Sequence, residues 1–159
     1  MIDIKKHLNF IVSSFKILNK KQGLNFDVKN MIEYFVLRNA KQQKKGIKLP
    51  KNIVKGKLKS CFKNATHLAL ENSHLKYFEG YAISNFGIFP LLHAWVENEQ
   101  GEVIDNTWNE PHKCFYFGVC FDHETLKEEI FKNEIYGLLN LGYKVNIELI
   151  KKYKNKKAI

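Results

Sequence analysis

Three residues, Cys61, His93 and Asp105, have the types and the chain order that nucleophilic acyl transfer requires. A thiol attacks, an imidazole takes and returns its proton, and a carboxylate holds the imidazole in one tautomer. Cys61 follows Ser60 at the start of an apolar pattern with helical spacing. A helix N-terminus carries partial positive charge and favours a thiolate.

His93 lies in Leu91–Glu97, where alternate positions Leu91, His93, Trp95 and Glu97 share one face of a strand. The following Asn98-Glu99-Gln100-Gly101 fits a type I turn with glycine in the left-handed position, a common hairpin loop. Pairing Asn98 with Glu102 puts His93 opposite Thr107, with Asp105 diagonal to His93 on the same face. Only a register slip of odd parity separates them.

Four further residues are candidates for supporting roles. Asn64 falls one turn after Cys61, and Glu79 shares a strand face with Tyr77 and Tyr81. Trp95 and Trp108 are placed to wall the cleft and keep water from the His–Asp pair. Cys114, Cys120, His67, His74, His112 and His123 lack an obvious partner and read as structural or surface residues.

The elements that position these groups follow from periodicity. Residues 4–20 carry an apolar stripe at helical steps, and Asp27 is a candidate N-cap for a second helix with Met31, Ile32, Phe35 and Val36 that runs toward Gly46. A lysine-rich surface loop, 46–59, delivers the chain to a helix over 61–71. Strands are expected at 77–84, 91–97, 102–108 and 115–121, forming a mainly antiparallel sheet of about four strands. A helix over 124–141, preceded by Asp122 or His123, packs back on it, and 145–150 reads as a last short strand. The fold class is therefore α+β in one domain, with a helical part (1–45), a core (59–122) and a C-terminal helix with basic tail (123–159).

Hydrophobic residues make up 45% and charged residues 26%, so the composition is that of an ordinary globular core. Apolar runs fall short of the roughly 20 residues that span a bilayer, and the N-terminus does not read as a signal peptide. A cytoplasmic location, of a bacterium or of a host cell if the chain is phage-encoded, is expected; the Lys- and Asn-rich composition suits a phage or an AT-rich bacterium. Cys61, Cys114 and Cys120 form no disulfide framework, and no zinc-ligand spacing occurs, so no metal or organic cofactor is expected. The net charge of +10 comes mostly from lysines at 41–59 and 151–157. It allows an acidic protein or nucleic acid as partner without choosing one.

Between Lys59 and Asp122 the chain resembles the papain-like and transglutaminase-like superfamily of cysteine nucleophiles. The resemblance rests on Cys61-Phe62-Lys63-Asn64-Ala65, Glu79-Gly80-Tyr81-Ala82, His93-Ala94-Trp95, Val103-Ile104-Asp105-Asn106-Thr107-Trp108 and Tyr116-Phe117-Gly118-Val119. The middle blocks are most similar to transglutaminases, in which a His-Ala-Trp stretch precedes an Asp-Pro-Thr-Trp-like block. It implies a nucleophile helix packed on a sheet bearing His and then Asp. The neighbours of Cys61, Lys59-Ser60 and Phe62, depart from the family pattern, and the nearest upstream amide is Asn52, so the backbone N–H of Cys61 is the default oxyanion donor. The expected function is cysteine-dependent acyl transfer on a protein or peptide-like amide: peptidase, amidase, deamidase or transglutaminase. The alternative is a non-catalytic binding module on the same scaffold that uses its lysines.

Overall fold

The computed structural model describes residues 3–142 and 144–156, the side chains of 154–156 excepted. The chain is α+β, with α1 (Ile4–Gln22), α2 (Ile32–Asn39), β1 (Lys44–Lys45), α3 (Cys61–Glu71), β2 (Lys76–Ser84), β3 (Leu91–Glu97), β4 (Val103–Ile104), β5 (Cys114–Phe121), α4 (His123–Asn133) and α5 (Ile147–Lys156). The strands form one antiparallel sheet in the order β1-β5-β2-β3-β4.

Sheet parity separates two faces. Tyr77, Tyr81, Ile83, Ala94, Val96, Phe117, Val119 and Phe121 join Ile4, Leu8, Phe35, Val36, Ala65, Ala69, Leu126 and Leu149 in the main core. Each fully buried large apolar side chain there contributes roughly 1.5–3 kcal/mol. The other face holds a smaller cluster of Ala82, Trp95, Cys114 and Tyr116, flanked by Phe78 and Trp108. Gly80 and Gly118 meet across β2 and β5. A Cβ on Gly118 would come within 2.4 Å of Trp95 Cη2, so the Trp95 ring needs a glycine beneath it.

Several boundaries differ from expectation for local reasons. Asp27 caps a short 3₁₀ turn, Val28–Asn30, accepting from Lys29 N–H at 2.9 Å, and α2 starts later and stops at Asn39 rather than near Gly46. The basic segment after it is partly structural: Lys44 pairs with Tyr116 across β1 and β5, and its Nζ holds Glu97 at 2.5 Å and the Gly101 carbonyl at 3.0 Å. The sheet therefore gains a fifth, two-residue strand, β1, beside the four expected. The expected strand 102–108 is reduced to Val103–Ile104, because the chain turns after Asp105.

The helix expected over 124–141 ends at Asn133, with Glu134 left-handed (φ 55°) and Asp122 as its N-cap. Leu138 and Leu139 are buried outside any helix, their N–H groups donating to Glu79. The segment read as a strand at 145–150 instead begins α5: Asn146 Oδ1 accepts from Leu149 N–H at 3.1 Å and caps it. Ser60 stands at the cap position of α3, but its side chain makes no capping bond. The end of the basic tail, 157–159, lies outside the described residues. No helix among the described residues is long and apolar enough to cross a membrane.

Candidate active site

The β3–β4 hairpin has the register set by its turn. Gly101 is left-handed (φ 75°), Asn98 N–H donates to the Glu102 carbonyl, and Val96 and Glu97 pair with Ile104 and Val103. That parity points His93 and Asp105 to the same side. His93 Nε2 lies 2.9 Å from Asp105 Oδ2, and both residues are buried.

Asp105 follows β4 directly, in a tight turn over its own carboxylate. Oδ1 accepts from Thr107 N–H at 2.7 Å and Trp108 N–H at 3.3 Å, while Oδ2 accepts the Tyr116 hydroxyl at 2.9 Å. Burial opposes ionisation of this group, but the His93 hydrogen bond and charge, with the Thr107 and Tyr116 donors, hold its pKa below the usual carboxylate value. An ionised Asp105 only accepts, so Nε2 of His93 carries a proton toward it.

With Nε2 turned to Asp105, the Nδ1 side of the ring is the one left for Cys61, which lines the same cleft and acts on the His93 pKa. Burial by itself lowers the imidazole pKa. The hydrogen bonds and charges of Asp105 and Cys61 outweigh it and raise the value to about 9. The surroundings therefore favour the protonated ring.

Cys61 is half-buried in the first turn of α3, where its own N–H has no intrahelical acceptor. Lys59 just before it takes a left-handed conformation (φ 63°), a costly choice for a side chain other than glycine that bends loop 46–59 into the helix. Cys61, His93, Thr107 and Trp108 line one cleft of about 330 Å³, together with Leu58, Lys59, Leu91 and Leu92. Cys114 and Cys120 differ from Cys61: burial pushes each thiol up to about 11, which keeps it protonated. A larger cleft of about 500 Å³ lies on the sheet beside Lys44, Trp95 and Cys120. Its thiol is the protonated Cys120, so the smaller cleft is the one that holds a nucleophile beside a base.

The supporting candidates divide. Asn64 is not an idle exposed side chain; its Nδ2 donates to the Lys57 carbonyl at 2.8 Å and Thr107 Oγ1 at 2.9 Å, tying the nucleophile helix to the Asp105 turn. Trp108 is half-buried with its ring 4.4 Å from the His93 ring, and its carbonyl accepts from Lys55 Nζ. Trp95 is buried between Phe78 and Tyr116 and does not line the Cys61 cleft. Glu79 lies on the opposite face of β2 from Gly80, the strand partner of His93. It is wholly buried and accepts from the Tyr77 hydroxyl at 2.7 Å and from Leu138 and Leu139 N–H. It anchors the chain after α4 rather than the cleft. Asn52 is exposed and lines a separate groove with Asn64 and Asn106.

Tyr116 is the site residue that the sequence does not reveal. It reaches Asp105 from β5, two strands away from β3. Gly80 and Ala82 of the intervening β2 are the small residues on that face. The only signal is a tyrosine at a strand position opposite a small residue. Among the described residues, no group of three or more His, Cys, Asp or Glu could hold a metal ion.

No family model, curated protein or solved structure matches this chain. Any functional reading therefore rests on the site itself.

Proposed function

We propose that the chain is a cysteine-dependent acyl-transfer enzyme acting on amide bonds, with Cys61 as nucleophile, His93 as base and acid, and Asp105 as the residue that orients His93. The observation that carries this reading is the position of the His93 ring, bonded through Nε2 to the buried Asp105 carboxylate and lining one cleft with Cys61. Three groups of these types in this order match the minimal machinery for thiol-based acyl transfer.

In the first half-reaction the Cys61 sulfur adds to the carbonyl carbon and the carbonyl π pair moves onto oxygen. The backbone N–H of Cys61, unused within its helix, is the default donor to that oxyanion. The C–N bond then breaks, and the imidazolium gives its Nδ1 proton to the departing nitrogen, leaving a thioester. In the second half-reaction the neutral Nδ1 takes a proton from water or an amine as it attacks the thioester carbon and releases the thiolate. Water as acceptor makes a peptidase, amidase or deamidase, and an amine makes a transglutaminase.

The scaffold, a nucleophile helix against an antiparallel sheet with His and then Asp, is one that we assign to the papain-like and transglutaminase-like superfamily. A reducing cytoplasm suits its free thiol. A peptide carrying an electrophilic carbonyl in place of the amide tests the reading by intact-mass spectrometry. One adduct on Cys61, absent from Cys61→Ala, is expected. Adducts spread over Cys114 and Cys120, or none, would count against it.

A further inference from the structure

The Cys61–His93 cleft is not isolated. A second cleft of about 400 Å³ shares Leu58, Leu91 and Trp108 with it and continues past them to Phe86, Phe89 and the edge of Cys114. Joined, the two have a volume within the range of roughly 300–1,000 Å³ common to ligand sites.

The walls of the extension are mostly apolar and open to solvent, with Ser84, Asn85, Asn109 and Glu110 as its polar lining. Phe86 is 83% exposed, Phe89 64%, Leu91 60% and Leu58 54%. Asn85 to Leu92 contains no charged residue in a chain that carries 26 Lys and Arg and 16 Asp and Glu. The other long uncharged run on the sheet, Cys114–Phe121, is a central strand whose side chains fill the two cores. Burial explains the absence of charge in β5. It does not explain it in the β2–β3 loop, which exposes large apolar groups that monomers rarely cluster without a partner. The patch also begins where the candidate reaction would occur, with Trp108 covering His93 on one side and walling the apolar extension on the other.

We infer that Leu58, Phe86, Phe89, Leu91 and Trp108 form a substrate subsite that takes an aromatic or large aliphatic side chain of a peptide, next to the amide presented to Cys61. This rests on the proposed function for its substrate type, but its binding preference is readable without any reaction. The occupant is a peptide side chain because the apolar walls lead directly into the cleft that would hold the neighbouring amide, and Glu110, the charged residue of the extension, is already paired with Lys113. A bulky apolar group there removes both its own surface and the exposed phenyl rings from water.

Isothermal titration of the Cys61→Ala protein with acetyl-Gly-Gly-X-Gly-Gly-amide peptides tests the subsite, X being Phe, Leu, Gly or Asp. The Phe and Leu peptides are expected to bind at least about tenfold more tightly than the Gly and Asp peptides. Phe86→Ser combined with Phe89→Ser, both at exposed positions, should erase that ratio, and Leu58→Ser should reduce it independently. Equal binding of all four peptides overturns the subsite. So does a preference that survives these substitutions, or a patch that instead drives binding to phosphatidylglycerol vesicles or self-association with no peptide preference. Each of these leaves the reactivity of Cys61, read by alkylation in the unsubstituted protein, to stand or fall by itself.

Discussion

The Tyr116 hydroxyl donates to Asp105 Oδ2 at 2.9 Å, the same oxygen that faces His93 Nε2 at 2.9 Å. With Thr107 and Trp108 N–H on Oδ1, the carboxylate is surrounded by donors. Burial and the Asp105 charge raise the Tyr116 pKa far above its ordinary value, so its hydroxyl stays a donor. Asp105 is therefore fixed in place and ionised, an orienting group rather than one that exchanges protons.

Tyr116→Phe removes one of the donors that lower the Asp105 pKa, so that pKa should rise. The acid limb of Cys61 reactivity should move to higher pH, with a loss of stability of about 1–3 kcal/mol. A pH profile of adduct formation beside a thermal melt checks both. A melt that shifts while the acid limb stays put would make Tyr116 a packing residue only.

Asp105→Asn keeps the shape but removes the charge that raises the His93 pKa and the acceptor that fixes its tautomer. Turnover should fall by about 10³–10⁴-fold, the scale known for such triads. The alkaline limb, expected near 9 in the unsubstituted protein, should move down. Equal profiles for the two proteins would remove Asp105 from the mechanism.

The parts of this arrangement that are local in sequence were legible there. The Asn98–Gly101 turn fixes the hairpin register, and strand parity does the rest, so the proximity of His93 and Asp105 follows from a dozen consecutive residues. Cys61 at the start of α3 was also legible, from the change to helical spacing after Ser60. Tyr116 was not, since its contact depends on β5 pairing with β2 rather than with its sequence neighbour. The C-terminal third misled for a related reason. Ile135, Leu138 and Leu139 repeat at helical steps, yet Glu79 on distant β2 draws the Leu138 and Leu139 amides out of any helix. Asn146 caps α5, but the apolar residues around it read as a strand.

Stability should depend on the His93 proton. The folded-state pKa is raised from 6.5 to about 9, so the contribution is complete below 6.5 and is lost as pH rises to about 9. The loss is at most about 3 kcal/mol. Urea melts between those limits should show the decline, and His93→Gln should flatten it. The same slope in both proteins would assign it to other groups.

Glu79→Gln separates anchoring from catalysis. A glutamine has one acceptor oxygen where Tyr77, Leu138 and Leu139 need both oxygens of Glu79, so stability should drop by about 1–3 kcal/mol. The reactivity of Cys61 per folded molecule should be unchanged. A fall in that reactivity would restore Glu79 to the site.

The central claim is that His93 activates Cys61, and the rate of Cys61 alkylation by iodoacetamide at neutral pH reads it most directly. Peptide mass mapping follows each thiol separately in the unsubstituted protein and in His93→Ala. The account predicts that Cys61 reacts well ahead of Cys120 and slows by about a hundredfold when His93 is removed. Equal Cys61 rates in the two proteins, no faster than that of Cys120, would contradict it.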